Sequence, residues 1–433
     1  MPERKTRRRA IRATWGVTDQ ALSSLMGLGL SIVVAHVVSP TEFGAFAMAL
    51  AAYYMALGAS RALASDIFVV RFSSGEETLV HAARAQAAGT ALTTGIVLGI
   101  ATCLVSQFAP SDLRRSLLAI GVVFPFLLLQ DFMRFAFFAA QRGHLAAAVD
   151  AVWICSAAVL VALTLALGVR EAAVFIAEWG LAAGVAALVA LRVANVRPRP
   201  LGTLSWLRSH RDLAPRFLME ITLMTGVGSV ALVLVGSIAD LEAAGSLRGA
   251  TVLLGPLTLL LTASTMFGVP EAVVARRHSD AALRGFALHL SALLAITATL
   301  WTTALTLLPS TLGRKILSDS WDGAHEVVLP IGIAACAVAA TSGAFIALRA
   351  LAAARESLRA RLFMAPLIVG GVLVGAVTGG ALGAAIGMAI ANGVGVLVAW
   401  WMLHRVLTRR APEVEGDETS STSRVSPQRT VPA

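Results

Sequence analysis

The chain has 433 residues, of which 57% are hydrophobic and only 14% charged, with a mean hydropathy of +0.78 and a net charge of +10. A soluble domain carries about a quarter charged residues, so this balance excludes a soluble enzyme and a basic nucleic-acid-binding domain. Runs of about 20 apolar residues recur along the chain, long enough to cross a bilayer as helices rather than as the shorter alternating strands of a barrel.

In chain order, residues 1–13 are basic and too polar for a signal peptide. Six spans follow in a first lobe over 14–192, at 14–37, 43–70, 84–107, 116–140, 145–168 and 172–192. A linker covers 193–215. Its prolines stop the sixth helix, and Leu204, Trp206, Leu207 and Arg208 form either a short helix on the membrane surface or a plain tether. The second lobe, 216–403, holds spans at 216–238, 249–275, 284–308, 327–349, 362–378 and 381–403. The tail, 404–433, begins basic and turns polar from Ala411, a composition expected to be disordered.

The two lobes repeat one another. Gly44–Arg71 aligns without gaps with Gly249–Arg276 at an offset of 205, placing Asp66 on Glu271 and Arg71 on Arg276. Ala139–Leu145 aligns with Ala352–Leu358 at an offset of 213. An even number of spans per half gives both halves one orientation. The expected fold is therefore an all-α membrane protein of twelve transmembrane helices in two six-helix lobes, related by a pseudo-two-fold along the membrane normal. With the N-terminus cytoplasmic, 27 of the 35 Lys and Arg residues fall in cytoplasmic segments and 6 in outer loops. That asymmetry predicts cytoplasmic termini and linker, and it matches the basic balance to an anionic inner leaflet.

Ionisable residues inside spans are costly and usually face a cavity or a partner. Arg61 and Arg134 each lie 18 residues into spans that run the same way, about 27 Å along their helices. Asp19 and Gln20 in the first span, Asp66, Asp131, and Asp150 in the fifth lie near the same level. At the offsets above, Arg61 maps to Met266, and Asp131 and Arg134 to Ala344 and Ala347, so the charged cluster is expected in the first lobe alone. Arg134 can pair with Asp131 three residues earlier. Arg61 has no acid on its own helix face; it needs a partner from another helix, a ligand, or a path to the surface. A guanidinium suits phosphate because it donates two parallel hydrogen bonds. Arg61 and Arg134 are thus candidate substrate-binding residues; Asp19, Gln20, Asp131 and Asp150 are candidate cation-coupling or polar cavity residues.

Several chemistries are not in view. The chain has only Lys5 and Lys315, neither in a phosphate-binding loop, and its eight histidines and three cysteines lack metal-ligand spacing. No enzyme activity, metal or cofactor is expected. Gly371, Gly375, Gly379, Gly383 and Gly387 form a small-residue stripe for close helix packing, with part of the run needed for a turn. Pro125, Pro256 and Pro330 should kink their spans, and Trp179 in the sixth span reads equally as a membrane-interface anchor.

The segments Val38-Ser39-Pro40-Thr41-Glu42-Phe43-Gly44 and Ser60-Arg61-Ala62-Leu63-Ala64 resemble bacterial polysaccharide flippases of the multidrug/oligosaccharidyl-lipid/polysaccharide exporter superfamily. So do Leu129-Gln130-Asp131-Phe132-Met133-Arg134 and Gly313-Arg314-Lys315-Ile316-Leu317-Ser318-Asp319-Ser320-Trp321. The resemblance covers residues 14–405. It implies a V-shaped pair of lobes and alternating access, moving undecaprenyl-pyrophosphate-linked oligosaccharide from the inner to the outer leaflet of the bacterial inner membrane. It also implies cavity arginines on the pyrophosphate, a role that falls here to Arg61 and Arg134. Membrane lipids and polysaccharide polymerase or ligase machinery would be its partners, and no nucleic acid. Two alternatives remain: a cation-coupled multidrug exporter of the same architecture, and an integral-membrane glycan ligase or polymerase.

Overall fold

A computed structural model describes residues 26–72 and 77–421. Twelve long helical segments are present among them, besides the short helices Thr203–Ser209 and Ser310–Leu317: α1 Met26–Val37, α2 Pro40–Phe72, α3 Glu77–Ser106, α4 Ser111–Ala139, α5 Gly143–Ala166, α6 Ala172–Ala194, α7 at 214–238, α8 at 241–278, α9 Asp280–Thr306, α10 Trp321–Ala350, α11 at 354–378 and α12 at 381–421. The first six pack as one lobe and the last six as another.

The two-fold relation is visible where α2 and α8 begin. Ser39 caps α2 by accepting the Glu42 amide at 3.3 Å, and Pro40 takes a first-turn position that needs no amide hydrogen. Asp240 caps α8 in the same way, accepting from Ala243 at 2.7 Å. The two helix starts cross in contact. A side chain on Gly44 would strike the Leu241 carbonyl, four residues before Gly245. One on Gly245 would meet the Pro40 carbonyl, four residues before Gly44. Reciprocal contact of this kind is the mark of a two-fold axis. The offset there is 201, from Gly44 to Gly245, rather than the 205 of the Gly44–Arg71 repeat. The two helices are also broken differently: α8 is interrupted at Leu254, where Pro256 opens a new helical piece, whereas α2 passes through a π-helical turn at Arg61–Ser65.

A second pair of landmarks sets the register elsewhere. The α4–α5 turn passes through Gln141 at φ 60°, and the α10–α11 turn through Ala352 at φ 55°. The amides of Gln141 and Arg142 bond to the carbonyls of Phe138 and Phe137; those of Ala352 and Ala353 bond to Arg349 and Leu348. α5 and α11 then start at Gly143 and Ala354. The structural offset is 211, so the expected 213 is two residues out.

Within the glycine stripe both expected roles occur. Gly379 and Gly380 form the α11–α12 turn, Gly380 at φ 56°. Gly371 packs on Gly387 and Gly375 on Gly383, backbone to backbone. Pro125 and Pro330 lie inside α4 and α10, and Pro270 is a further interior proline in α8.

The linker contains the short helix that is one of its two readings. Asn195, at φ 50°, ends α6, and the Arg199 amide bonds to the Ala85 carbonyl of α3. A short helix, Thr203–Ser209, follows. Its Trp206 is 1% exposed, stacks on Phe72 and lies against His210. Its indole is thus turned into the first lobe, where it finds an apolar pocket and a carbonyl partner. The tail corrects another expectation: α12 continues as helix to Ser421. Extending an existing helix avoids the cost of nucleation, so even a polar sequence can prolong it. Residues 422–433 lie outside the described residues.

One apolar core, including Phe43, Phe46, Leu247 and Trp321, runs through both lobes. A smaller core, including Ala272, Leu283, Leu348 and Leu403, belongs to the second lobe at the end where the linker lies. The lobes thus share a core where α2 and α8 begin, and at the other end the second lobe packs on itself.

Candidate functional site

Arg61 opens a π-helical turn, Arg61–Ser65, within α2; such single wide turns are frequent at functional sites. Within this turn the Leu63 carbonyl accepts a hydrogen bond from Trp206 Nε1 at 2.9 Å, so the linker helix is tied to the backbone beside Arg61. On α4, Arg134 lies four residues after Gln130 and three after Asp131, so its side chain can meet both. Asp150 comes from the second turn of α5.

These residues form one network. Arg61 donates from Nε to Asp131 Oδ2 at 2.9 Å and from Nη2 to Oδ1 at 2.7 Å, a two-pronged pair. Arg134 bridges both acids, reaching Asp131 Oδ1 at 3.2 Å and Asp150 Oδ2 at 3.5 Å. Gln130 Nε2 donates to Asp150 Oδ1 at 2.8 Å. Phe135 lies under both guanidinium groups, 5.0 and 5.8 Å from its ring centre. Two cations face two anions, as burial demands, since an unpaired charge in an apolar interior is far costlier than a paired one. The network has one open edge: the Arg61 side chain is 27% exposed, against 6% for Asp131 and 1% for Asp150.

The structure therefore brings together four of the six predicted site residues, Arg61, Arg134, Asp131 and Asp150. Asp19 and Gln20 lie outside the described residues. Arg61 takes its partner from another helix, and that partner is the acid also paired with Arg134. Asp66 makes no ion pair among the described residues. Arg71 and Arg276, the repeated basic positions, act as ties. Arg71 bonds Asp212 of the linker at 2.6 Å, and Arg276 donates to the Ala350 carbonyl at the end of α10 at 2.8 Å. Trp179 is no interface anchor: it is 4% exposed and packs between Tyr53 and Trp153 inside the first lobe. Glu178 beside it accepts from Thr164.

The second lobe also brings arginines to a cavity, Arg349 exposed and Arg361 half-buried. A cavity of about 410 Å³ opens among α7, α8, α10, α11 and α12, lined by Arg349, Arg361, Thr341, Ser342, Phe345 and Asn392 among others. The Arg361 guanidinium lies over the Phe345 ring at 4.4 Å. Counting both arginines as loop residues hid them, since long side chains reach inward from helix ends. At the offset of 211 the error becomes plain, because Arg361 occupies the place of Asp150. Arg248 lies inside α8 and donates to Ser31 Oγ of α1 across the lobe interface at 2.7 Å.

No protein-family model matches this chain, and no curated protein matches it in sequence. Solved structures do match in fold. An inward-facing multidrug resistance MATE family transporter of the MOP superfamily superposes with a TM-score of 0.66 at 12% identity, covering 90% of this chain and 96% of that one. The lipid II flippase MurJ, in an inward closed conformation, gives 0.68 at 10% identity, covering 90% and 87%. An outward-facing MATE family transporter gives 0.54 at 13% identity, covering 92% and 95%. The chain thus shares the all-helical, two-lobed fold of these transporters.

Proposed function

We propose that this chain is a flippase that moves a lipid-linked oligosaccharide with a pyrophosphate headgroup between the leaflets of a bacterial inner membrane, by alternating access and for cell-surface polysaccharide assembly. The observation that carries this reading is Arg61, a guanidinium inside the bundle that keeps an open edge while its acid partner is buried. An oxyanion can take bonds from Arg61, and Arg134 keeps Asp131 paired meanwhile. The lobes touch where α2 and α8 begin, so the headgroup enters from the linker end and leaves when that contact opens. The polyprenyl tail stays in lipid. Outward movement of an anion is favoured by a membrane potential that is positive outside, by about 2.3 kcal/mol per charge per 100 mV.

The test uses purified protein in vesicles loaded with lipid-linked oligosaccharide. Arg61→Ala should lower translocation at least about tenfold at equal folded abundance, and Arg61→Lys should recover part of it, since lysine keeps the charge and loses the two-pronged geometry. A full rate in Arg61→Ala removes Arg61 from the path. A second reading, cation-coupled multidrug export, draws on the buried carboxylates Asp131 and Asp150 and on the MATE likeness. Uptake of a lipophilic cation by the same vesicles, without glycan movement, would favour it.

Orientation belongs to the same proposal, with termini and linker cytoplasmic. Ser209 is exposed at the end of the linker helix. Ser209→Cys should resist an impermeant thiol reagent added to intact cells and react after permeabilisation.

A further inference from the structure

The second-lobe cavity occupies the place that the ion network fills in the first lobe. At the offset of 211 set by the Gln141 and Ala352 turns, Gln130 and Asp131 become Thr341 and Ser342, Arg134 becomes Phe345, and Asp150 becomes Arg361. Asp150 and Arg361 each lie seven residues into their helices, about 10 Å from the start. Both aspartates are thus replaced. Arg349 from the last turn of α10 lines the same space.

The cavity's lining includes no carboxylate. Glu220 at the start of α7 is the acid that acts electrostatically on Arg361, and it is exposed and forms no ion pair with it among the described residues. Arg349 repels Arg361. Arg361 Nε is buried with no hydrogen-bond partner. Two like charges facing one space of low polarity are relieved by an anion between them. The hydroxyls of Thr341 and Ser342 donate to the Val338 carbonyl of their own helix. The donors left for a ligand are therefore the two guanidinium groups and the second amide hydrogen of Asn392, whose first is given to the Met388 carbonyl at 2.8 Å. The remaining wall is apolar, with Ile346, Met364, Ile368 and Met388.

We propose that this cavity is a binding site for the phosphate or pyrophosphate headgroup of an amphiphile, held by Arg349 and Arg361 with its apolar part along the methionine and isoleucine wall. The site is separate from Arg61. It deepens the flippase reading by giving the headgroup a second station, and it can fail alone.

The probe is farnesyl pyrophosphate, added to the full chain in phosphatidylcholine nanodiscs. In a variant with Ser342→Cys and with Cys103, Cys155 and Cys336 changed to alanine, the probe should slow alkylation of the new thiol by about tenfold, and adding Arg361→Gln should remove that protection. In otherwise native protein, Ser342→Asp, which restores the acid of the first lobe, should weaken probe binding by about tenfold or more while the melting temperature holds or rises, because Arg361 gains a partner. An alkylation rate indifferent to the probe, or undiminished affinity in Ser342→Asp, overturns the site, even if Arg361→Gln fails to fold. Competition by phosphatidylglycerol alone assigns the phosphate to bilayer lipid, and competition only by polyprenyl pyrophosphates assigns it to a transported substrate; both keep the site. If the probe protects the thiol but the vesicles move no glycan, the flippase reading fails and the site stands. If glycan moves and the thiol is not protected, the reverse holds.

Discussion

At the end of the bundle that holds the linker, the first lobe sets Gln130, Asp131 and Arg134 of α4 against Asp150 of α5. The second lobe sets Thr341, Ser342 and Phe345 of α10 against Arg361 of α11. The backbone is the same in both, down to the left-handed residue that turns α4 into α5 and α10 into α11. The side chains reach opposite outcomes. In the first lobe four charges cancel and the space is filled. In the second, a carboxylate has become a hydroxyl and another a guanidinium, and a cationic cavity of about 410 Å³ results. Duplicating a scaffold therefore does not duplicate its electrostatics. One copy can serve as a closed, charge-balanced support with a single accessible arginine while the other stays open to an anion.

The sharpest way to break this contrast is to remove the acid that two arginines share. Asp131→Asn should cost about 3–5 kcal/mol, because it leaves buried guanidinium charge uncompensated, whereas Ser342→Ala at the equivalent place should cost less than about 0.5 kcal/mol. Thermal unfolding in one detergent compares the two directly, and equal losses would end the distinction between a balanced lobe and an open one.

A smaller effect separates the lobes through the linker. Trp206 of the linker bonds to the Leu63 carbonyl in the wide turn of Arg61, whereas the indole that bonds a carbonyl of α8 is Trp301 of the spanning helix α9, on Leu253 at 3.1 Å. Trp206→Phe should lose about 1 kcal/mol of stability for the hydrogen bond while most of the packing remains. It should also slow translocation if the turn needs that support. Unchanged stability would show that the Leu63 carbonyl is satisfied without it.

The smallest effect is expected outside both lobes. Deleting 411–433 should change stability and transport by less than about 0.5 kcal/mol and twofold, since that segment has little apolar surface to bury. A larger loss would mean that the helical extension to Ser421 docks on one lobe, and the comparison would then have to include it.

Most of the fold was legible. Apolar runs of bilayer length and a half-chain repeat lead to twelve helices in two lobes, because hydrocarbon leaves the backbone few alternatives to a helix. The candidate site was legible in part. Arg61, Asp131, Arg134 and Asp150 stand out because charge inside a span is costly, and the structure joins all four. Arg361 and Arg349 did not stand out. They lie close enough to helix ends to pass as loop charge, and a repeat register two residues out placed alanines opposite Asp131 and Arg134. Trp206 was misread as well, since an indole in a basic linker looks the same whether it rests on lipid or plugs a pocket.

The sequence by itself determined the class of solvent, the number of spans and the existence of a repeat, because these follow from composition and periodicity along the chain. Only the tertiary structure decided which acid holds Arg61, which residue of the second lobe stands where Asp150 stands in the first, and that one site is filled while its twin is hollow. Those outcomes depend on how helices far apart in sequence rotate and cross, and a few residues of drift between the two repeats are enough to change which side chains meet.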